Sequence, residues 1–268
     1  MYTFFLLPVG PIYVSTSVSK MDDVAKEISY EFNGWVRNGG RWKPTECRAR
    51  VKIALIIPFR NRYEQISIFL RHIHPLLRKQ YLDYRIFSVE QIGDAPFNRA
   101  KLFNIGFKEA LKFDDFKCFV FHDVDLMPEN DRNEYSCPSS PRHMSVAVDK
   151  FDYRQIFGGV GSFTKEHFEL INGYSNIFWG WGGEDDNLFR SRITAKGLTL
   201  SRPSSKKGRY KMLKMFHVFS KYCLHRLARM DQALKEMDND GLNSLKYSTE
   251  VTEYPLFTLI RANLENAL

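Results

Sequence analysis

Apolar runs and amphipathic stretches alternate through the first half of the chain. Residues 51–58, VKIALIIP, form a near-continuous apolar run, as expected of a parallel strand that is covered on both faces. Residues 65–79 place their apolar side chains on one face of a helix. A strand at 84–89, a helix at 98–113 and a strand at 118–124 complete a β-α-β-α-β pattern. This pattern predicts a parallel sheet with right-handed crossovers.

The rest of the chain carries less regular patterns. Residues 15–46 read as an irregular lead-in that is punctuated by turns, and glycines at 157–161 predict a further turn. The other predicted elements are helices at 164–171, 186–196 and 224–238 and a strand-like segment at 247–260.

Polar side chains follow two of the predicted strands at their carboxyl ends, where ligands bind in open α/β sheets. Asp123 and Asp125 end the third strand and project to the same side if the extended geometry continues. Two acids at the end of a buried strand are costly without a positive partner. Mn²⁺ or Mg²⁺ carrying a diphosphate would supply one. Because the pattern is short, a capped turn with solvated acids is the alternative.

Basic side chains lie at the same predicted edge. Arg60 and Arg62 follow the first strand, and Arg99 and Lys101 open the second helix. Arginine forks bind phosphate in a bidentate manner, and a helix N-terminus favours anions. These positions predict a nucleotide diphosphate site, although plain surface arginines would give the same pattern.

Residues 179–186, WGWGGEDD, form the second stretch that indicates chemistry. Aromatic rings offer apolar faces to a sugar ring, and carboxylates accept hydrogen bonds from its hydroxyls. One of the acids could act as general base on an acceptor hydroxyl. The alternative is an N-terminal helix cap beside a packed tryptophan.

Composition narrows the function classes. The 268 residues are enough for one large domain, and 39 Lys+Arg against 31 Asp+Glu give a net charge of +8. The basic residues are spread along the chain, so nucleic acid is not expected as a ligand and a phosphorylated substrate fits better.

The four cysteines form no C-x-x-C motif, so structural zinc is not expected. Cys118 and Cys137 bracket the acidic stretch and could form a disulfide or stay reduced, and Cys47 and Cys223 have no assigned partner. Residues 1–14 are too short to span a bilayer.

Six motifs occur in order: PFRNR, FNRAK, FVFHDVDL, FGGVG, WGWGGEDD and DGLNSL. Between about residues 39 and 258 the chain resembles the inverting β-1,4-galactosyltransferase family, including its N-acetylgalactosaminyl members. The resemblance implies an α/β fold of the GT-A (Rossmann-like) type with a mostly parallel central sheet. It further implies Mn²⁺ as cofactor, a UDP-sugar donor and a GlcNAc-terminated glycoprotein or glycolipid acceptor. It also implies the luminal part of a type II Golgi membrane protein, whose anchor is not evident in this chain.

The resemblance divides the chain into a lead-in, 1–38, and a catalytic domain, 39–262. Within the catalytic domain, about 50–126 would bind the nucleotide, and about 140–262 would bind the acceptor and the donor sugar.

The resemblance also assigns roles to single residues. The general base would be Asp185, with Glu184 beside it. The residues implied to bind nucleotide or donor are Pro58, Phe59, Arg60, Arg62, Phe97, Arg99, Lys101, Asp123, Val124, Gly159 and Trp181. Those implied to bind the acceptor are Tyr153, Trp181, Asp185 and Arg226. The metal ligands would be Asp125, Met212 and His217, because Met215 stands where the family's Met-x-x-His motif has its histidine. A disulfide between Cys118 and Cys137 is implied too, which fits an oxidising lumen.

One position bears on the donor sugar. Ile156 precedes FGG, where family members that use UDP-galactose usually have tyrosine. A smaller aliphatic side chain leaves room for an N-acetyl group, so Ile156 favours UDP-GalNAc and a GalNAcβ1-4GlcNAc product. The alternatives are galactosyl transfer from UDP-Gal and an inactive relative that binds UDP or sugar. An error in the gene sequence around Met215 is a further one.

Overall fold

The computed structural model describes residues 8–31, 35–213 and 226–264. The helices are α1 Met21–Glu31, α2 Tyr63–Lys79, α3 Arg99–Ala110, α4 Lys165–Leu170, α5 Glu184–Asp186, α6 Ile193–Ala195 and α7 Arg226–Lys235. Short 3-10 helices cover Asp149–Phe151 and Leu242–Ser244, and a π-helical turn, Asn187–Arg192, joins α5 to α6. The strands are β1 Arg41–Trp42, β2 Lys52–Phe59, β3 Asp83–Ile92, β4 Cys118–His122, β5 Leu126–Pro128, β6 Arg142–His143, β7 Ala147–Val148, β8 Val160–Thr164, β9 Arg209–Met212, β10 Ser248–Glu253 and β11 Thr258–Asn263.

A mixed sheet forms the centre of the domain, in the order β10-β11-β3-β2-β4-β8-β6, with β1 paired to the start of β3. Its four central strands, β11, β3, β2 and β4, run parallel. The predicted β-α-β-α-β unit is therefore confirmed. Antiparallel strands flank it on both sides: β10 pairs with β11, and β8 pairs with both β4 and β6. The sheet agrees with the GT-A expectation of an α/β fold.

Strand β2 explains why the sheet is covered on both faces. Its central side chains are fully buried and alternate between two apolar clusters. Ile53, Leu55 and Ile57 pack with the apolar face of α2, whereas Ala54 and Ile56 pack with α3. At Gly106 of α3, a Cβ atom would lie 2.3 Å from Ile56 Cγ2, so the helix approaches the sheet closely. This packing places the first residues of α3 at the carboxyl edge of the sheet.

The acidic stretch departs from the predicted extended geometry. Strand β4 ends at His122, and Leu126 N donates to Asp123 O at 3.3 Å across a turn. The chain then enters a second, three-stranded sheet in the order β5-β9-β7. The prediction that Asp123 and Asp125 share one strand face is wrong, because the turn separates them and carries Asp125 towards β9. Leu213 N, just after β9, donates to Asp125 O at 2.8 Å.

Two other expectations also need correction. The lead-in is not irregular throughout, because it contains α1, whose Val24 is buried in the same cluster as the apolar face of α2. Arg71 Nε of α2 also lies 3.0 Å from Glu27 Oε2 of α1. The strand-like segment at 247–260 is an antiparallel pair, β10 and β11, with a short connection between the strands. The helices predicted at 164–171 and 186–196 are confirmed with bounds shifted by one or two residues, and the second includes the π-helical turn. The helix predicted at 224–238 is confirmed as α7, which ends three residues earlier, and its first two predicted residues lie outside the described ones.

A disulfide joins Cys118 of β4 to Cys137, with the two Cα atoms 5.5 Å apart and the two residues 19 positions apart in sequence. It closes the loop that contains the acidic turn and β5, and a closure of this size stabilises a fold by about 3 kcal/mol. Cys47 is a free, exposed thiol, and Cys223 lies outside the described residues. In the described part of the chain, no helix has the length and apolar character needed to cross a membrane.

Candidate active site

Arg99, the first residue of α3, holds three carboxylates that come from two distant segments. Its Nε donates to Asp123 Oδ1, just after β4. Its Nη1 donates to Asp185 Oδ1 at 3.0 Å and lies 3.6 Å from Glu184 Oε1, both at the start of α5. Its Nη2 donates to Gly159 O at 3.4 Å. The structure therefore brings together predicted site residues that lie up to 86 positions apart.

The acid cluster carries more negative charge than one guanidinium offsets. Burial and the adjacent Asp185 carboxylate raise the pKa of Glu184 to about 7, although Arg99 opposes the shift. Burial likewise raises the pKa of Asp123 to about 7 against the pull of Arg99. Within the described residues, Glu184 Oε2 is buried and has no hydrogen-bond partner. The cluster is therefore suited to bind a cation or the hydroxyl groups of a sugar.

The tryptophan-rich segment docks on the start of α3. Gly180 N donates to Phe97 O at 2.8 Å, and Lys101 Nζ lies 5.3 Å from the centroid of the Trp179 ring. Asn98 caps α3, because its Oδ1 accepts from Lys101 N at 2.8 Å. The two motifs that the sequence marked separately therefore form one surface. Trp181, which was predicted to bind both the donor and the acceptor, is 52% exposed.

A π-helical turn and a buried arginine fix the helix that carries the acids. Arg192 is fully buried at the end of this turn. Its Nε donates to Asn187 Oδ1 at 3.0 Å, its Nη1 to Gly173 O at 3.1 Å and its Nη2 to Asp240 O at 2.7 Å. Burial lowers the pKa of Arg192 to about 10, and Asp240 opposes the shift. Sequence reasoning missed this anchor, because an arginine on a helix normally indicates a solvent-facing position.

The glycine turn lies directly against Asp185. Gly158 has a φ of +105°, and a Cβ atom there would lie 2.4 Å from Asp185 Oδ2. Gly158 O accepts from Ser145 Oγ at 2.6 Å and lies 2.9 Å from His143 Nε2. Burial lowers the pKa of His143 to about 4, so its ring is neutral at pH 7. Sequence reasoning missed His143 and Ser145, because single polar residues in a two-residue strand or between two such strands give no periodic signal.

Gly158→Ala tests this packing. For the sugar transfer that the sequence resemblance implies, we expect about a 10²-fold lower rate, because the new methyl group displaces the Asp185 carboxylate and small misplacements have effects of this size. Gly197→Ala is the matched control, since Gly197 also has a positive φ, +68°, but no atom of the described residues lies within 4 Å of the place that its new methyl group would take. Initial transfer rates and thermal unfolding of both variants would be compared. Equal rate losses in the two variants would contradict the role of the contact.

The predicted nucleotide residues lie at the carboxyl edge of β2. Arg60 Nη1 donates to Ala95 O at 2.6 Å, and its guanidinium carbon lies 5.6 Å from the centroid of the Phe97 ring. Arg62 Nη1 lies 3.7 Å from Asp125 Oδ2. The neighbouring predicted residues Pro58, Phe59 and Val124 are buried. The basic groups and the acidic turn thus share one edge, as the positions of the predicted strands required.

The predicted acceptor residues lie in two places. Arg226 reaches the acid segment, where its Nη2 donates to Asp186 Oδ2 at 2.8 Å. Tyr153 instead contacts the second sheet: its hydroxyl donates to Glu129 Oε1 at 3.2 Å, and the Arg209 guanidinium carbon lies 3.7 Å from its ring centroid. The acceptor role of Tyr153 stays a prediction.

The predicted metal ligands are described only in part. Asp125 and Met212 lie at the junction of β5 and β9, where Leu126 pairs with Met212. Burial raises the pKa of Asp125, and Arg62 opposes the shift, so a cation would stabilise this carboxylate. Asp149, which sequence reasoning missed, accepts from Met212 N at 2.7 Å and fixes that strand.

The donor set fits manganese at the carboxylate and less well at the thioether, a soft ligand. His217 and Met215 lie outside the described residues. Within residues 8–31, 35–213 and 226–264, no group of three His, Cys, Asp or Glu side chains could hold a metal ion.

The sheet with a parallel centre, and the acids and arginines at its carboxyl edge, agree with the GT-A class of glycosyltransferases. The chain belongs to the β-1,4-galactosyltransferase family. The family described as the N-terminal region of glycosyl transferase group 7 matches residues 6–138. The one described as the N-terminal domain of galactosyltransferase matches residues 142–218.

Three relatives agree with this assignment. Mouse β-1,4-galactosyltransferase 5 is 44% identical over 259 residues, 95% of this chain and 66% of the relative. Mouse β-1,4-galactosyltransferase 1 is 46% identical over 266 residues, 96% of this chain and 65% of the relative. The chain thus spans just under two thirds of the length of these relatives. A Drosophila β-1,4-galactosyltransferase 7 mutant, solved with manganese, UDP-Gal and xylobiose, is 32% identical with a TM-score of 0.64. That likeness covers 80% of this chain and 94% of the Drosophila chain.

Proposed function

We propose that this chain is the catalytic part of an inverting β-1,4-galactosyltransferase. It transfers galactose from UDP-Gal to the 4-hydroxyl of a terminal GlcNAc on a glycoprotein or glycolipid. The observation that carries the proposal is the Asp185 carboxylate, which Arg99 holds at 3.0 Å and Gly158 contacts, at the ligand-binding edge of the sheet. The names of the relatives support galactose as the transferred sugar.

The chemistry follows from the positions of the side chains. Asp185 accepts the proton of the acceptor hydroxyl as that oxygen attacks the anomeric carbon from the face opposite UDP. Arg99 orients this carboxylate and Asp123, while Glu184 accepts hydrogen bonds from sugar hydroxyls. Asp125, Met212 and His217 would hold Mn²⁺, which supplies positive charge to the diphosphate leaving group. Trp181 would cover the bound donor and exclude water.

A second donor, UDP-GalNAc, is favoured by one specific observation. Ile156 lies beside the glycine turn that packs on Asp185, and its side chain is partly buried against the core. Its N–H donates to Val146 O at 3.2 Å, and its carbonyl accepts from Arg202 Nη2, so its backbone is held on both sides. The branched aliphatic side chain of Ile156 leaves room for an N-acetyl group, which the phenol ring of a tyrosine at this position would fill. We keep N-acetylgalactosaminyl transfer as the second candidate.

A donor competition assay tests both candidates. Transfer to a GlcNAc acceptor would be measured with UDP-Gal and with UDP-GalNAc, each with and without Mn²⁺. We expect faster, metal-dependent transfer from UDP-Gal, and Ile156→Tyr should shift any residual use of UDP-GalNAc further towards UDP-Gal. Ile156→Leu is the matched control, because it keeps an aliphatic group of the same volume.

Two results would change the proposal. Faster transfer from UDP-GalNAc would replace the first candidate by the second. No turnover of either donor by a folded sample would contradict the enzymatic proposal and favour a relative that only binds UDP or sugar.

The proposed setting is the Golgi lumen, with this chain as part of a larger type II membrane protein. The Cys118–Cys137 disulfide supports an oxidising compartment, because such bonds persist there and are rare in the cytosol.

A further inference from the structure

Phe157 is placed between two arginines at the edge of the acid segment. The guanidinium carbons of Arg190 and Arg202 each lie 4.5 Å from the centroid of its ring. The Phe157 side chain is partly exposed, and the Arg190 side chain is 61% exposed. A guanidinium that stacks on an aromatic ring keeps its N–H groups free to bind a further ligand in its own plane.

Among the described residues, the partners of the Arg202 guanidinium are all neutral. Its Nε lies 3.2 Å from His143 Nδ1, its Nη1 donates to Gln155 Oε1 at 3.4 Å, and its Nη2 donates to Ile156 O. None of these acceptors carries a negative charge. Burial and then the nearby Arg190 charge lower the pKa of Arg202, as expected of a cation whose described partners are neutral.

The guanidiniums of Arg190 and Arg226 both pair with one carboxylate, that of Asp186. Asp186 Oδ2 accepts from Arg226 Nη2 at 2.8 Å, and Asp186 Oδ1 lies 3.5 Å from Arg190 Nε. The two preceding acids are occupied by Arg99. Among the described residues, this edge therefore carries three guanidiniums and one carboxylate, which leaves it positively charged.

This edge adjoins the proposed reaction centre. Asp186 follows Asp185 in sequence, and Phe157 precedes Gly158, which contacts the Asp185 carboxylate. A group bound by Arg190 and Arg202 would thus lie beside the sugar whose hydroxyl Asp185 deprotonates in the proposed reaction. Guanidinium forks bind carboxylate, sulfate and phosphate groups through charge-assisted hydrogen bonds.

We propose that Arg190 and Arg202 form an anion subsite for the acceptor. The preferred acceptor then carries a carboxylate, sulfate or phosphate group next to the sugar that is glycosylated. This inference rests on the proposed function, since it names the class of acceptor for the same site.

Matched acceptors test the subsite. The 4-carboxyphenyl β-glycoside of GlcNAc would be compared with its neutral methyl ester, and GlcNAc 6-sulfate and GlcNAc 6-phosphate would be compared with GlcNAc. We expect about a tenfold lower KM for the carboxylate than for its ester, and the ratio should decrease as salt is added. The KM values for GlcNAc 6-sulfate and GlcNAc 6-phosphate, compared with that for GlcNAc, show whether the subsite binds an anion on the sugar itself or only on the aglycone.

Variants assign the effect to the two arginines. Arg190→Gln and Arg202→Gln should each bring the ratio of kcat/KM for carboxylate and ester close to one. Lys117→Gln is the charge-matched control, because Lys117 is exposed beside Asp115 at the start of β4 and should leave both rates unchanged. An equal KM for carboxylate and ester in the wild type would overturn the proposal, and so would a preference that survives in both arginine variants.

A binding measurement separates this inference from the proposed function. If neither acceptor is glycosylated, the proposed function fails, and isothermal titration of the same two glycosides in the presence of UDP decides the subsite. Tighter binding of the carboxylate, lost in Arg202→Gln, would support it, and equal affinities would overturn it.

Discussion

Asp185→Asn is expected to lower the transfer rate by about 10³-fold while UDP still binds. The amide has the same shape as the carboxylate, so it still fits against Gly158, and its oxygen still accepts from Arg99 Nη1. It cannot accept the proton of the acceptor hydroxyl. Initial rates of sugar transfer and calorimetric titration with UDP would measure the two properties separately.

Asp186→Asn is the matched control for that experiment. Asp186 is the next residue on the same helix, but it pairs with Arg226 and Arg190 rather than with Arg99. Its replacement should weaken acceptor binding and leave the proton acceptor in place, so the rate at saturating acceptor should decrease far less. A transfer rate for Asp185→Asn within tenfold of the wild type would show that another group takes the proton.

Arg99→Gln is expected to destabilise the fold by about 3–5 kcal/mol, because it leaves buried carboxylates without their counter-charge. Asp123, Glu184 and Asp185 all lose their cation, and their side chains are no more than 26% exposed. The free energy of unfolding in urea would measure the change. Donor binding should be lost as well, because the Arg99 side chain joins the segment after β4, which carries Asp123, to the start of α5, which carries Asp185.

A second substitution separates charge from shape. In the Arg99→Gln background, Asp123→Asn removes one of the uncompensated carboxylates and should restore part of the lost stability. In the wild-type background, the same change should be destabilising, because it removes the partner of Arg99 Nε. An Arg99→Gln protein that unfolds at the wild-type urea concentration would show that the acids are neutralised in some other way.

The centre of the fold was predictable because its signal is local and repeated. A strand that is covered on both faces is apolar at every covered position, and β2 has this pattern from Ile53 to Phe59. The rule that ligands bind beyond the carboxyl ends of parallel strands then placed Arg62, Asp123 and Asp125 at one edge.

The partners of individual side chains were less predictable. The sequence marked Arg99 as a phosphate ligand, and that role stays a prediction; the structure adds its contacts with three acids. Two of those acids are more than 80 residues away in sequence, and no local pattern reports such a contact. The turn at Val124–Asp125 was missed for a related reason. It directs β5 into the second sheet, where β5 pairs with β9, a strand that is distant in sequence.

The π-helical turn between α5 and α6 has a consequence for insertions and deletions. Such a turn holds one more residue than an α-helical turn of the same rise. Deleting one residue from Asn187–Arg192 and restoring α-helical winding would therefore leave Arg192 at nearly the same rotation relative to Glu184 and Asp185. Arg192 could then keep its buried contacts with Gly173 and Asp240. A further deletion, made in a segment that is already α-helical, would rotate Arg192 by about 100° away from those contacts. The segment thus tolerates the loss of one residue but not of two.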